Sequence, residues 1–297
     1  MNTGYIQVVL FLLSFFVYMN NNAIASELSL KKSKNISSSK DSLLSYIPDK
    51  IFKPSNSLIC TNPDEIEKAE KIMGEAIERL KEHAIHSNDY RLYHHYDEDV
   101  NVYRKRHKYL IVDKIDVKIH NTDKYEEIID TLFNFNNDIY SGGIVVEGKV
   151  VREYNPNLVM IQKRYIDVPN KPFEGYFYSI ATKHQVSEDT TVIALTSANI
   201  NDYNHIDKNL FRNIIVESAN SFETDICSEN YIRRRYLNKM FVHLSGYIIK
   251  KKSKYIQITC INALEVDNRN APKFVEERFK SDKLTILVST RNKYSMK

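Results

Sequence analysis

The stretch 143–201 constrains the fold more than any other part of this sequence. Apolar residues, rich in Val, Ile, Tyr, Phe and Thr, recur there at every second position, and short turns containing Asn, Asp, Pro and Ser interrupt them. Successive side chains of a strand point to opposite faces, so this period predicts strands that are buried on one side. We predict four antiparallel strands, at 143–154, 158–165, 175–186 and 190–200.

Helices and further strands flank this central sheet. Asn62 is an N-cap, Pro63 occupies the first helical position, and the acids Asp64 and Glu65 lie in the first turn, so a helix begins here and continues to about residue 86. Further helices are predicted at 122–135 and 273–290, and further strands at 100–106, 110–120, 239–250 and 255–264. From the pattern alone, the β-branched part of the last helix, 284–288, fits a strand as well as a helix.

The N-terminus has the features of a secretory leader. An uncharged apolar run at 6–18 is followed by the small-x-small site Ala23-Ile24-Ala25, which predicts a signal peptide over 1–25 that is cleaved before Ser26. Residues 26–61 are polar, rich in Ser and Lys, and without sustained periodicity, so they are predicted to form a linker. We expect one domain over 62–297, because no internal repeat or second linker divides it.

The charge distribution argues against nucleic acid as a partner. The chain carries a net charge of +4, and the linker contributes +3 of it, so the predicted domain is nearly neutral. A nucleic-acid interface needs a basic folded face, which this balance does not supply.

The sequence carries none of the common catalytic or metal-binding motifs. It lacks a Gly-x-Ser-x-Gly elbow, a phosphate-binding glycine-rich loop, a His-Glu-x-x-His motif and a Cys-x-x-Cys motif. His184 or His243 beside a serine is the remaining route to catalysis, and it is the minority interpretation. We expect a protein that is not an enzyme and that has no metal or cofactor. Three cysteines, Cys60, Cys227 and Cys260, permit at most one disulfide, and no pairing follows from the sequence.

Two segments of the central sheet carry a family resemblance. Residues 154–162 (YNPNLVMIQ) and 187–191 (SEDTT) resemble sequence segments typical of the Plasmodium fam-a proteins, which are related to the StAR-related lipid transfer (START) domain. The resemblance implies an α+β helix-grip fold, in which a curved antiparallel sheet and a long C-terminal helix enclose a hydrophobic lipid cavity. It also implies a secreted monomer that contacts membranes transiently and carries a phospholipid, with phosphatidylcholine as the expected cargo. The expected locations are the parasite surface, the parasitophorous vacuole or the infected host cell.

The same resemblance selects candidate lipid-binding residues. Alignment of Gly175-Tyr176-Phe177 with the START Arg-Asp-aromatic signature places the cavity on one face of strand 158–165, and the C-terminal helix is expected to close it. The candidates are Met160, Gln162, Arg164, Phe177, Phe274, Val275 and Phe279. The charged pair of many START cavities is replaced by Gln162 and Ala181. This departure leaves open an alternative, a surface antigen or adhesin that keeps the START shell without cargo.

Overall fold

The computed structural model describes residues 58–85, 89–136, 139–141, 144–167, 174–204, 211–234, 237–266 and 273–295; at 139–141, 144–145, 167 and 273–282 it describes the backbone only. The described residues belong to one compact unit. The predicted signal peptide and most of the linker lie outside the described residues.

Four α-helices lie in the described part of the chain. They are α1 (Pro63–Ile85), α2 (Tyr125–Phe133), the short α3 (Asn230–Arg233) and α4 (Lys273–Ser295). The carboxamide oxygen of Asn62 accepts hydrogen bonds from the backbone N–H groups of Asp64 (3.1 Å) and Glu65 (3.4 Å), so the predicted N-cap of α1 is confirmed. The stretch 284–288 is helical, because α4 runs through it without interruption.

A ten-stranded sheet forms the centre of the described structure. Its strands are β1 (Arg91–Asp97), β2 (Val100–His107), β3 (Leu110–Ile119), β4 (Ile139–Ser141), β5 (Ile144–Asn155), β6 (Leu158–Asp167), β7 (Glu174–Ser187), β8 (Thr190–Thr196), β11 (Asn238–Lys251) and β12 (Ile256–Val266). Two short strands, β9 (Asn199–Asn201) and β10 (Glu223–Asp225), pair in parallel apart from it. The four predicted central strands are confirmed as β5 to β8, with the turns at 155–157 and 187–189. Strand β8 ends at Thr196, so Ile200 lies in β9 instead, and the turn predicted at 169–172 lies outside the described residues.

The order across the sheet is β1-β2-β3-β12-β11-β8-β7-β6-β5-β4. Neighbouring strands are antiparallel, and a brief parallel pairing of β11 with β7 is added where β8 ends. The chain therefore folds back on itself through local hairpins, and β12 joins the N-terminal and central groups of strands by pairing with β3.

Helices cover both faces of the sheet. On the face that we name the α1 face, Leu158 and Met160 of β6 belong to the same buried cluster as Met73 and Leu80 of α1. On the opposite face, named the α4 face, apolar residues of β6 and β12 pack with α2 and α4, including Leu287. Because both faces are buried, the sheet has two apolar layers, and the alternation along each strand divides its residues between them.

Candidate functional site

A cavity lies on the α4 face, between the sheet, α2 and α4. Leu132 of α2 and the following Phe135 line one side, Lys283 of α4 lines another, and strands from β6 to β12 line the rest. The apolar lining from the sheet comprises Phe177, Leu195, Val242 and Leu264. The cavity offers about 30 Å³ to the centres of water molecules. Since one water needs about 10–15 Å³ on this measure, the space holds about two waters.

Polar groups meet at one part of this lining. Ser245 of β11 and Asn262 of β12 lie directly opposite each other in the antiparallel pair, and both side chains are buried. Ser245 Oγ and Asn262 Oδ1 have no hydrogen-bond partner among the described residues. Leaving such a group unpaired in the interior costs about 1–3 kcal/mol. These two side chains therefore form a buried polar pair that faces the cavity with unused hydrogen-bonding capacity.

Lys163 brings a positive charge to the cavity from β6. Its Nζ lies 5.7 Å from the ring centroid of Phe135. Burial, together with the nearby charge of Lys283, lowers the pKa of Lys163 from 10.5 to about 7. The ammonium form is thus held in surroundings that disfavour it, because no described carboxylate compensates it.

Lys283 brings a second ammonium group from α4. Its Nζ donates a hydrogen bond to the hydroxyl of Tyr247 (3.3 Å) and lies 5.3 Å from the centroid of that ring. Burial works against the charged form, but the interactions with Tyr247 and Cys260 outweigh it and raise the pKa of Lys283. This lysine is therefore charged at neutral pH, beside a cavity that also contains Lys163.

The structure places one predicted site residue on the cavity and three elsewhere. Phe177 lines the cavity, as expected. The expected placement of Met160, Gln162 and Arg164 on the same face was wrong. The register of β6 and β7 pairs Gln162 with Tyr178 and pairs Lys163 with Phe177. Directly opposite residues share a face, so Gln162 and Phe177 are on opposite faces, and the other two follow Gln162 by alternation.

The three misplaced residues have structural roles on the α1 face. Met160 is fully buried in the cluster that contains α1. Gln162 Nε2 donates to the Tyr178 hydroxyl (2.7 Å) and to Glu229 Oε2 (3.0 Å).

Arg164 is held on the same face by two carboxylates and one ring. It pairs with Glu147 (3.6 Å) and Glu174 (3.2 Å), and its guanidinium lies 4.5 Å from the ring centroid of Tyr231. With those partners it does not need a lipid phosphate as its counter-charge.

The remaining candidates, Phe274, Val275 and Phe279, lie on α4. The helix itself is where the sequence predicted it, across the α4 face of the sheet. Their side chains lie outside the described residues, so their contact with a lipid stays a prediction.

Sequence reasoning missed the polar lining of the cavity. Lys163 lies in the alternating set Val159, Ile161, Lys163 and Tyr165. A single lysine in such a set predicts the point where a strand reaches solvent, not a buried cavity. Ser245 and Asn262 lie in separate predicted strands, and only their pairing brings them together. The sequence did offer one indication of the site, because these polar residues occur at positions where alternation predicts a buried apolar side chain.

Of the two histidines that offered a route to catalysis, His184 is exposed and His243 is engaged elsewhere. His243 is fully buried, its Nε2 lies 2.7 Å from Glu265 Oε2, and its Nδ1 accepts the backbone N–H of Ile214 (3.2 Å). Both ring nitrogens are therefore occupied, and neither faces a serine hydroxyl. Within the described ranges, no cluster of three or more His, Cys, Asp or Glu side chains is arranged to hold a metal ion.

The three thiols are all free. Cys260 is buried in the α4 face, Cys60 is half-buried and Cys227 is exposed. Burial raises the pKa of the Cys260 thiol to about 12. The single disulfide that the sequence permits is therefore not formed.

Comparison with known proteins identifies the fold. No model of a protein family matches the sequence, and no curated protein matches it. Among solved structures, human StAR-related lipid transfer protein 5 matches with a TM-score of 0.55 and 10% identity, covering 77% of this chain and 97% of that one. Human STARD10 matches with a TM-score of 0.48 and 12% identity, covering 73% of this chain and 79% of that one.

The chain has the START helix-grip fold, and the predicted α+β class is confirmed. The neighbour with the higher TM-score is a lipid transfer protein by name, while no comparison supports the expected membership of the Plasmodium fam-a family. In the part of the chain that the structure describes, no helix is both long enough and apolar enough to cross a bilayer.

Proposed function

We propose that this protein binds a lipid in the cavity of the α4 face and carries it between membranes without catalysing a reaction. The observation that carries the proposal is the position of the cavity, enclosed by the sheet, α2 and α4 in a START helix-grip fold. The lining supplies what an amphiphile needs, an apolar surface from Phe177, Leu195 and Val242 and a polar group from Ser245 and Asn262.

The energetics of transfer require such an enclosure. Two acyl chains of about sixteen carbons cost on the order of 25 kcal/mol in water, at about 0.8 kcal/mol per methylene. A carrier that left this surface wet would extract lipid too slowly to be useful. The cavity holds about two waters as it stands, so cargo enters only when the space between α4 and the sheet widens. We infer that membrane contact favours this widening.

The finer parts of the proposal rest on the sequence. The apolar run at 6–18 and the Ala23-Ile24-Ala25 site support secretion. Residues 154–162 and 187–191 support membership of the fam-a family, and with it a location at the parasite surface, in the parasitophorous vacuole or in the infected host cell. Phosphatidylcholine is the first cargo to test, because the family resemblance implies it.

A vesicle assay tests the proposal. The purified full-length chain is mixed with donor vesicles that contain a self-quenched fluorescent phosphatidylcholine and with unlabelled acceptor vesicles, and native mass spectrometry counts lipid on the protein. We expect one lipid per chain and transfer faster than with a heat-denatured sample. Absence of bound lipid together with transfer at the rate of that sample would refute a carrier of phosphatidylcholine.

The small cavity also favours a second candidate, an antigen or adhesin that keeps the START shell without cargo. A space for about two waters is what an empty, fully packed shell would have. The two functions differ in their response to lipid. A carrier is stabilised by its cargo in proportion to RT ln(1 + [L]/Kd), whereas a shell without cargo melts at the same temperature with and without lipid vesicles.

A further inference from the structure

We propose that the cavity selects lipids whose polar group is a net anion, a phosphate monoester or a carboxylate, over zwitterionic lipids such as phosphatidylcholine. This inference rests on the proposed function and names the class of its cargo. It comes from four side chains that share the cavity lining, Lys163, Lys283, Ser245 and Asn262.

These side chains are a donor set. With an anion in the cavity, which favours the charged form of Lys163, each lysine presents an ammonium with N–H donors and no acceptor. Ser245 presents a hydroxyl, and the Asn262 carboxamide can present its NH₂ group after a flip of the amide. Ser245 and Asn262 are adjacent across β11 and β12 and are buried, and Ser245 Oγ and Asn262 Oδ1 have no partner in the described part of the chain. A phosphate or carboxylate group accepts hydrogen bonds from donors of each of these kinds, and charge-assisted bonds are about twice as strong as neutral ones.

The charges around the cavity are unbalanced. Among the described side chains, no Asp or Glu lines the cavity. Burial and the charge of Lys283 lower the pKa of Lys163, while Tyr247, Cys260 and Tyr165 act on Lys283 against its burial, so no described carboxylate contributes to either shift. By contrast, other cations of the same sheet are paired. Lys183 lies 3.7 Å from Asp130, and Arg164 lies 3.2 Å from Glu174. An anion entering the cavity supplies the counter-charge that its two lysines lack among the described residues.

The same lining does not suit a choline group. A quaternary ammonium is recognised by carboxylates or by the open faces of aromatic rings. Of the four rings in the lining, two are already faced by the cavity's own cations, since Lys163 Nζ lies 5.7 Å from the Phe135 centroid and Lys283 Nζ lies 5.3 Å from that of Tyr247. The other two, Tyr165 and Phe177, lie against each other with their ring centroids 6.2 Å apart. A third positive charge in this space would be repelled by both lysines.

Competitive uptake tests the inference. The full-length protein is incubated with vesicles that contain equal amounts of phosphatidylcholine, phosphatidic acid and oleate, separated from them by gel filtration, and analysed by native mass spectrometry. We expect the sum of phosphatidic acid and oleate bound to exceed phosphatidylcholine by at least about tenfold, as expected for one added hydrogen bond to a charged group. The ratio of phosphatidic acid to oleate separates a phosphate source from a carboxylate source.

Variants assign the preference to the cavity. The double variant Lys163→Met/Lys283→Met should lose the preference and bind the three lipids in similar amounts. Lys183→Met removes a lysine of β7 that lies on the α4 face but outside the cavity lining. This control variant should keep the wild-type ratio of bound lipids.

The outcomes separate the two proposals. If the wild-type protein takes up phosphatidylcholine and the anionic lipids equally, the inference is overturned and the carrier function still stands. This outcome does not depend on whether the variants fold. An unchanged preference in a folded double variant would also overturn it. Uptake of no lipid at all would overturn the carrier function itself.

Discussion

Replacing Lys163 with methionine should stabilise the lipid-free protein, although the change removes a native side chain. The lysine is half-buried on the α4 face, and burial together with the charge of Lys283 lowers its pKa from 10.5 to about 7. At about 1.4 kcal/mol per pKa unit, holding the ammonium at pH 7 costs on the order of 4 kcal/mol, and partial contact with solvent reduces this to about 2 kcal/mol. For a domain of this size we expect the Tm to rise by about 5 °C or more.

The pH dependence separates this electrostatic effect from a gain in apolar packing. Between pH 7 and 10.5 the unfolded lysine holds its proton and the folded one has lost it, so the unfolded state binds more protons and wild-type stability rises with pH. The methionine variant lacks this contribution. Its advantage over the wild type should therefore be larger at pH 6.5 than at pH 8.5.

The assay is thermal denaturation of delipidated protein at these two pH values, with Lys183→Met as the control. Lys183 pairs with the exposed Asp130 at 3.7 Å, so its loss should change stability by less than about 1 kcal/mol at either pH. An advantage of Lys163→Met that is equal at both pH values would show that packing, not charge, is responsible. A lower Tm for this variant than for the control would refute the reasoning.

Three further predictions follow from the described contacts. Gly246→Ala should destabilise the protein by more than about 3 kcal/mol in urea denaturation, because an added Cβ would lie 2.1 Å from the backbone oxygen of Ile193. The control Gly74→Ala, at an exposed helical position with open space, should stabilise the protein by about 0.5–1 kcal/mol. Equal effects of the two substitutions would contradict the steric argument. Arg164→Gln should leave lipid uptake unchanged, since the carboxylate and ring partners of Arg164 lie on the α1 face. Reduced uptake by a folded variant would show that Arg164 contacts the lipid. In thiol labelling of the native protein, exposed Cys227 should react and buried Cys260 should not until unfolding, whereas labelling of both at one rate would contradict the free, buried thiol.

Local patterns in the sequence were sufficient to predict the central sheet. The turns at 155–157 and 187–189 lie between strands of strict alternation, so hairpins β5–β6 and β7–β8 follow from neighbouring residues alone. Strand β1 was not predicted, because its sequence, RLYHHYD, is exposed along most of its length and shows no alternation of burial. An edge strand gains its position from pairing with β2, which sequence periodicity does not report.

The candidate site was predicted less well, for a reason that the two apolar layers make clear. Alternation correctly divided β6 into Leu158 and Met160 on one face and Val159 and Ile161 on the other. It could not tell which set faces α1 and which faces the cavity, since both are buried. A family-based alignment chose the face of Gln162, and the register with β7 shows that the cavity is on the face of Lys163.

The mass of the protein after exposure to lipid tests the central claim most directly. Wild-type full-length chain, incubated with the mixed vesicles and separated from them, should show in native mass spectrometry one added lipid per chain, with phosphatidic acid or oleate in excess of phosphatidylcholine. A spectrum containing only the lipid-free chain would contradict the account, because a START fold with a polar, cationic cavity would then be a shell without cargo.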